Sequence, residues 1–190
     1  HSAGIRVVMV TGDSLPTARA IAARVGLLRQ GEKVIDGSEL EELSDHELQG
    51  MLPSVAVFAR VTPEQKYRIV SALMKQGEVV AVTGDGVNDS PAIKKANIGV
   101  AMGITGTDVT KEVSDIVLTD DNFTSIVNAV KYGRTIFNNI KSFVRYQIST
   151  NVAALSLMFA APALSLPLPL LPLQLLWINI MIDGPPALAL

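Results

Sequence analysis

The stretch Thr83-Gly84-Asp85-Gly86-Val87-Asn88-Asp89-Ser90-Pro91 is the most informative part of the sequence. It follows the apolar run of residues 79–82 and precedes a helical pattern, which predicts that it lies at the carboxyl end of a buried strand. Open α/β sheets bind their ligands at this end. Its two carboxylates and one amide are hard oxygen donors, and its two glycines leave backbone N–H groups accessible, which suits Mg²⁺ and phosphate. The alternative is a capped helix without chemistry, because Asp and Asn are ordinary caps.

The same Thr-Gly-Asp triplet occurs earlier in the chain. Thr11-Gly12-Asp13 follows the apolar strand predicted over residues 6–10 and precedes a helix predicted from about Pro16 to Val25. A hydroxyl group and the free N–H groups of a helix start are suited to a phosphoryl group. A capped helix and nothing more is again the alternative.

A third strand, predicted over residues 55–59, is followed by a helix that begins at Pro63. Lys66 falls in the first turn of this helix, near both Thr-Gly-Asp turns, where it could neutralise a phosphoryl group as a point charge. A lone surface lysine is more often simply solvated. Between the first and third strands, residues 33–52 predict a short strand and one acidic amphipathic helix, to which we assign no chemistry.

Strands and helices continue to alternate, with strands predicted at residues 97–102 and 115–118. Few hairpin signals interrupt this alternation, which predicts an α/β domain with a doubly wound parallel sheet. We expect this domain to cover residues 1–122.

Charge is distributed unevenly along the 190 residues. The chain has 16 basic and 18 acidic residues, and only Arg145 and Asp183 lie beyond Phe143. A net charge of −2 without basic clusters gives no reason to expect nucleic acid as a partner, and the absence of cysteine excludes disulfides and thiol catalysis.

The apolar half of the chain predicts a membrane segment. We expect a stalk helix at residues 123–142 and two transmembrane helices within residues 143–190. Before the predicted entry into lipid lie four basic residues, namely Lys131, Arg134, Lys141 and Arg145. Basic residues flank membrane helices on the cytosolic side, so residues 1–142 are predicted to be cytosolic.

Asp183 is an acid inside the second predicted membrane helix, where an unpaired carboxylate is expensive and therefore indicates function. Asn179 lies four residues earlier on the same helix face, and Gly184-Pro185-Pro186 leaves backbone carbonyls free one turn before it. Broken membrane helices of this kind are pointers to ion sites. Asn151, on the preceding helix, could add a third ligand. The alternative is that the two asparagines only join helices by hydrogen bonds.

Together these motifs resemble the P-type ATPases of the calcium-pump branch, cation pumps that phosphorylate themselves on an aspartate. The resemblance is carried by Thr11-Gly12-Asp13, residues 63–66, residues 83–91, Asp120-Asp121-Asn122-Phe123, Trp177-Ile178-Asn179 and Asp183-Gly184-Pro185. It implies a haloacid-dehalogenase-like phosphorylation domain, of which this chain holds the C-terminal part, followed by the fifth and sixth membrane helices.

The resemblance also implies roles for individual residues. Thr11, Gly12 and Lys66 would contact the aspartyl phosphate, and Asp13 would shape the same pocket. Asp85 would bind Mg²⁺. Asn88 and Asp89 would hold the geometry of the site. Asn151, Asn179 and Asp183 would bind the transported cation.

Departures from the family are equally informative. The phosphorylated Asp-Lys-Thr-Gly-Thr motif is absent from the sequence, as are the segments that bind most of ATP. We therefore expect a fragment that is inactive by itself and whose partners are lipid and the rest of the same pump. Ala154 stands where two-ion pumps have Glu, and Ile182 where they have Thr. Both differences favour one ion per cycle, as in the secretory-pathway Ca²⁺/Mn²⁺ pumps, whereas Asn151 fits the two-ion pumps better.

The resulting hypothesis is an integral membrane protein of the cell membrane or an endomembrane that exports Ca²⁺ by using ATP and Mg²⁺, with Mn²⁺ as a further candidate cargo. The alternatives are a soluble dehalogenase-like phosphatase, an inactive scaffold fragment, or a P-type pump for Na⁺ or H⁺.

Overall fold

The computed structural model describes residues 3–167, 169–171, 173–178 and 180–181. The chain divides into two compact units, His1–Asn122 and Phe123–Leu190. In the first unit strands and helices alternate in the order β1 Met9–Val10, α1 Leu15–Arg24, β2 Lys33–Asp36, α2 Gly37–Glu42, α3 Asp45–Met51, β3 Val55–Ala59, α4 Pro63–Lys75, β4 Ala81–Gly84, α5 Ser90–Lys95, β5 Ile98–Met102, α6 Asp108–Val113 and β6 Ile116–Leu118.

All strand pairs in the described part of the chain are parallel, as the alternation predicts. The strands form two three-stranded sheets instead of the single predicted sheet, in the orders β1-β3-β2 and β4-β5-β6. Within the described residues, β1 is therefore bonded only to β3, and β4 only to β5. Each of these two strands has one free edge.

The centre of the first sheet is β3, whose five residues are all buried. On one face Phe58 packs with Leu40, Leu48 and Ile69 from the helices α2, α3 and α4. On the other face the alanines of β3 pack against Ala18 and other small residues of α1. Helices thus cover both faces of this sheet, which is the doubly wound arrangement.

Three sequence predictions about the elements were wrong. Residues 37–51 form two helices instead of one, because the Ser44 side chain caps α3 in a reciprocal pair with Glu47 and starts a new helix. The strand β4 is not buried, since its residues alternate between exposed and half-buried. The two edge strands are also shorter than predicted. β4 begins at Ala81 although the apolar run begins at residue 79, and β1 begins at Met9 although the strand was predicted from residue 6. Both strands are at an edge, where one missing neighbour shortens the hydrogen-bonded ladder and leaves a side uncovered.

The second unit contains one long helix, α7, from Phe123 to Ala163. Its start agrees with the sequence prediction, and at 1.5 Å per residue its 41 residues extend for about 60 Å. Asn151 lies within α7 with an exposed side chain. Residues 173–178 are also helical.

The two predicted transmembrane helices remain a prediction. Among the described residues, no helix combines the length and the apolarity that a membrane span requires. Asn179 and Asp183, which were predicted to bind the transported cation, lie outside the described residues, as do Ile182 and the Gly-Pro-Pro break.

Candidate functional site

The first Thr-Gly-Asp turn joins β1 to α1 and is held by its own polar groups. The hydroxyl of Thr11 donates to Asp13 Oδ2 at 3.0 Å and accepts from the backbone N–H of Asp13 at 3.1 Å. Thr11 is half-buried, whereas Gly12 and Asp13 are exposed. The turn therefore presents Gly12 and Asp13 to solvent at the carboxyl end of β1, where sheets of this type bind ligands.

The end of β3 is bonded to this turn. The backbone N–H of Arg60 donates to Asp13 O at 2.9 Å, and that of Val61 donates to Thr11 O at 3.2 Å. Thr62 then caps α4 in a reciprocal pair with Gln65. Because the cap sets where the helix begins, it places Lys66 in the first turn of α4, close to the carboxyl ends of β1 and β3.

Lys66 does not point into solvent. Its Nζ donates to Asp89 Oδ1 at 2.6 Å, and both side chains are only 16% exposed. This ion pair connects α4, which packs on the first sheet, with the polar turn that follows β4 of the second sheet. The alternative interpretation of Lys66 as a solvated surface lysine is therefore excluded. Its partner, Asp89, belongs to the other predicted site motif.

Gly84, the last residue of β4, makes room for this pair. A Cβ at position 84 would lie 2.5 Å from Asp89 Cβ and 2.8 Å from Asp89 Oδ2. After Gly84 the chain forms a 3₁₀ turn at Val87–Asp89 and then α5, and the backbone N–H of Gly86 donates to Asp89 Oδ2 at 3.4 Å. Asp89 thus receives hydrogen bonds from its own turn and from Lys66.

Asp85 differs from Asp89 in that its carboxylate is exposed and has no hydrogen bond or ion pair within the described residues. Its backbone is fixed, since Thr107 N–H donates to Asp85 O at 3.0 Å. Asn88 is also exposed.

These residues fit a Mg²⁺ site whose ligands come partly from the protein and partly from water and phosphate. In phosphoryl-transfer sites, Mg²⁺ takes one or two protein carboxylates and fills its other positions with water and phosphate oxygens. The described residues contain no group of three or more acidic, histidine or cysteine side chains that could form a cage of protein ligands alone. The free carboxylate of Asp85 can supply the protein ligand of such a site.

Sequence reasoning missed the role of Asp121. Its Oδ1 accepts from the N–H groups of Gly103 at 2.6 Å and Ile104 at 3.0 Å, and its Oδ2 accepts from the N–H of Thr105 at 2.7 Å and the Thr105 hydroxyl at 2.8 Å. These bonds, that of Ile104 first, lower the pKa of Asp121 from 3.8 to about 2. An aspartate directly after a strand and before a long helix was the available signal, but its partners are 16 to 18 residues away in sequence.

The predicted site residues therefore fall into three groups. The first group consists of side chains that contact each other, Thr11 with Asp13 and Lys66 with Asp89. Asp85 and Asn88 stand exposed beside that pair in sequence, without side-chain partners in the described part of the chain. The third group is the predicted cation site, of which the structure describes only Asn151.

Comparison with known families supports the fold. Residues 1–97 match a family described as haloacid dehalogenase-like hydrolase, and residues 65–130 match a second family with the same description.

Comparison with curated proteins confirms the predicted resemblance to calcium pumps. The chain is 55% identical over its whole length to a calcium-transporting ATPase of Bacillus subtilis and covers 21% of it. It is 53% identical over 98% of its length to calcium-transporting ATPase 1 of Saccharomyces cerevisiae, covering 20% of that protein. Identity to the human calcium-transporting ATPase type 2C member 1 is 50%, over all of this chain and 21% of the relative. The chain thus spans about a fifth of the length of these relatives.

Solved structures point to the same superfamily. Two crystal structures of a zinc-transporting PIB-type ATPase, each in a different state of the pump, align with 99% of this chain and 24% of the pump. The TM-scores are 0.64 and 0.67, at 26% sequence identity in both cases. The chain belongs to the haloacid dehalogenase-like hydrolase family, and its whole length is similar to one segment of the calcium-transporting ATPases.

Proposed function

We propose that this chain is the C-terminal part of the phosphorylation domain, the stalk, and the fifth and sixth membrane helices of an ATP-driven P-type pump that exports Ca²⁺. The observation that carries this proposal is the Lys66–Asp89 ion pair. It joins α4, which packs on the sheet with the first Thr-Gly-Asp turn, to the polar turn that contains the second one. The identity of 50–55% to calcium-transporting ATPases over at least 98% of the chain supports the choice of cargo. Transport of Mn²⁺ by the same site is part of the proposal.

The free edges of β1 and β4 give a place for the phosphorylated aspartate. In the described residues each strand has only one bonded neighbour, and each leads into a Thr-Gly-Asp turn at its carboxyl end. A further parallel strand from another part of the pump, inserted between β1 and β4, would complete one sheet. An aspartate at its carboxyl end would then lie between the two turns.

Each site residue has a distinct role in this arrangement. Thr11 and Gly12 would bind the phosphoryl group, and Lys66 would stabilise its negative charge while Asp89 holds the ammonium group in place. Asp13 would shape the pocket, and Asn88 would support the turn that presents Asp85. Asp85 would hold Mg²⁺, which supplies charge stabilisation to the transferring phosphoryl group. ATP would be bound mainly by other domains of the pump.

The second unit is proposed to enter a membrane. Between Arg145 and Asp183 the sequence has no charged side chain, and basic residues precede this stretch. Residues 1–142 would then be cytosolic, and residues 143–190 would contact lipid and the remaining membrane helices. The membrane would be the cell membrane or an endomembrane.

Within that membrane unit, Asn179 and Asp183 are proposed to bind the cation, with Asn151 as a third ligand. Ca²⁺ takes six to eight oxygen ligands, so further oxygens must come from other helices and from free backbone carbonyls. With Ala154 and Ile182 at the positions described above, the proposal is one ion per cycle.

The test is ATP-driven uptake of radioactive Ca²⁺ and Mn²⁺ into vesicles that contain the full-length pump. Asp183→Asn is expected to abolish uptake, whereas Ala154→Glu is expected to raise the ratio of ions moved per ATP hydrolysed. Normal transport by Asp183→Asn would refute the cation site, and uptake of Na⁺ or H⁺ instead of Ca²⁺ would refute the choice of cargo.

The soluble alternatives are tested separately. If the full-length protein partitions into the cytosol, a phosphatase replaces the pump. Beryllium fluoride, a phosphate mimic, is expected to bind in a Mg²⁺-dependent way, and Asp85→Asn is expected to abolish this binding. If it does not, the phosphorylation site is refuted and an inactive scaffold remains the alternative.

A further inference from the structure

The loop between β5 and α6 is held by a carboxylate that follows the neighbouring strand β6, at the same carboxyl end of the second sheet. Three consecutive N–H groups, those of Gly103, Ile104 and Thr105, converge on Asp121, and the Thr105 hydroxyl adds a fourth bond. Asp121 adopts φ +48°, a left-handed conformation that Asp and Asn tolerate better than other residues with side chains. We refer to this arrangement as the Asp121 clamp.

The clamp explains why this loop is not itself a phosphate site. Successive backbone N–H groups that converge on one point form an anion-binding concavity. Here the anion is already present within the protein, because both oxygens of Asp121 occupy the concavity. The glycine-rich loop therefore binds a carboxylate of the same protein.

The other end of the same loop reaches the proposed Mg²⁺ site. Thr107 N–H donates to the backbone oxygen of Asp85 at 3.0 Å. The Thr107 side chain caps α6 and lies 2.6 Å from the hydroxyl of Thr110, which is fully buried. Gly106 brings the loop back against β5, where a Cβ would lie 1.9 Å from Met102 O. The loop is therefore hydrogen-bonded at both ends, to Asp121 at one and to Asp85 at the other.

We propose that Asp121 is a positioning residue for Asp85, acting through the loop from Gly103 to Thr107. Asp121 does not touch the phosphoryl group or the metal. It fixes the first half of the loop, Thr107 fixes the second half, and the Thr107 N–H holds the backbone from which the Asp85 carboxylate projects. This inference rests on the proposed role of Asp85 in binding Mg²⁺.

The test uses the full-length pump and the Mg²⁺ dependence of beryllium fluoride binding. Asp121→Asn keeps a residue that tolerates the left-handed conformation but removes the charge and one of the two acceptor oxygens. Loss of a residue that orients a metal ligand typically weakens metal binding about 10- to 100-fold, so the half-saturating Mg²⁺ concentration is expected to rise by that factor. In hydrogen exchange without Mg²⁺, the Thr107 amide is expected to exchange faster than in the unchanged protein.

Asp120→Asn is the matched control. It removes the same charge one residue away, and its amide oxygen can still accept from the N–H of Asn122, which Asp120 Oδ1 binds at 3.2 Å. The Mg²⁺ dependence of this variant is expected to be unchanged. Equal shifts in Asp120→Asn and Asp121→Asn would overturn the proposal, because the effect would then be one of charge alone.

Thr105→Val is a milder variant that keeps the test decisive if Asp121→Asn does not fold. It removes only the hydroxyl bond to Asp121, and a rise of roughly 2- to 5-fold in half-saturating Mg²⁺ is expected for one lost hydrogen bond. Unchanged Mg²⁺ dependence and unchanged Thr107 exchange in the folded variants would overturn the inference. If the unchanged pump fails to bind beryllium fluoride with Mg²⁺, the proposed function itself fails.

Discussion

At the scale of single residues, Lys66 and Asp89 form the most consequential contact in the first unit. Both side chains are 16% exposed, so removing one partner leaves the other charge largely out of water without compensation. The pair has two functions in our proposal, since it joins the motifs of the two sheets and holds the ammonium group near the phosphoryl site. Its energetic and catalytic contributions can be separated by mutation.

We predict that Lys66→Met lowers the free energy of unfolding by roughly 1–3 kcal/mol, the usual effect of leaving one buried partner unsatisfied. The double variant Lys66→Met with Asp89→Asn is expected to recover part of that loss, because no uncompensated charge remains. Denaturant unfolding followed by circular dichroism measures both. Phosphorylation should remain impaired in the double variant.

Lys75→Met is the matched control for this prediction. Lys75 also forms an ion pair, with Asp45 at 3.4 Å, but both side chains are about 60% exposed. Exposed pairs contribute little, so a change below about 1 kcal/mol is expected. Equal losses in Lys66→Met and Lys75→Met would contradict our account of burial.

Asp121 leads to a prediction about pH. Hydrogen bonds from Ile104, Thr105 and Gly103 lower the pKa of Asp121 from 3.8 to about 2 in the folded protein, whereas in the unfolded chain the pKa returns to its ordinary value. Above both values the clamp stabilises the fold fully, and as the pH falls from about 4 to about 2 this contribution is lost. The stability difference between the unchanged protein and Asp121→Asn should therefore shrink over that range.

This prediction is measured as the difference in denaturant midpoint between the two proteins at pH 7, 5 and 3. The difference is expected to be the same at pH 7 and 5 and smaller at pH 3. A difference that stays constant down to pH 3 would show that ionised Asp121 is not what stabilises the loop.

At the scale of elements, the end of β4 depends on the absence of a side chain at position 84. In Gly84→Ala the new Cβ would lie 2.5 Å from Asp89 Cβ, closer than real Cβ contacts allow, so either Asp89 or the strand end must move. We predict a loss of stability of about 1–3 kcal/mol, typical of overpacking, together with a loss of beryllium fluoride binding.

Gly50→Ala provides the comparison within the same unit. Gly50 lies in α3, and an added Cβ there meets no atom within 4 Å. Because alanine is the better helix former, this variant is expected to be neutral or more stable by up to about 1 kcal/mol. A similar loss in both variants would mean that the contact with Asp89 is not the cause.

At the scale of the whole molecule, the proposed function leads to a prediction about the free edges of β1 and β4. If a strand from another part of the pump lies between them, their outward backbone groups are hydrogen-bonded in the full-length protein. We predict that amides of Met9–Val10 and Ala81–Gly84 exchange slowly in the full-length pump and faster in the 190-residue chain alone. The amides of β3, which is bonded on both sides, serve as the internal reference.

Local signals allowed much of this fold to be predicted from the sequence. The bounds of β3 and the start of α4 follow from an apolar run, a Thr cap and a proline, which all act within a few residues of one another. The start of α7 and the residues that carry the two Thr-Gly-Asp turns were equally predictable. Where a local signal was overlooked, as with the Ser44 cap, the predicted element was wrong.

The amino-acid sequence by itself thus determined the order of strands and helices, their parallel arrangement and the site motifs. Only the tertiary structure decided that the strands form two sheets with free edges, that Lys66 pairs with Asp89, and that Asp121 holds the glycine-rich loop. The physical reason is distance along the chain. Helix caps and turns depend on neighbouring residues, whereas these contacts join groups 16 to 23 residues apart and depend on how strands and helices are placed in space.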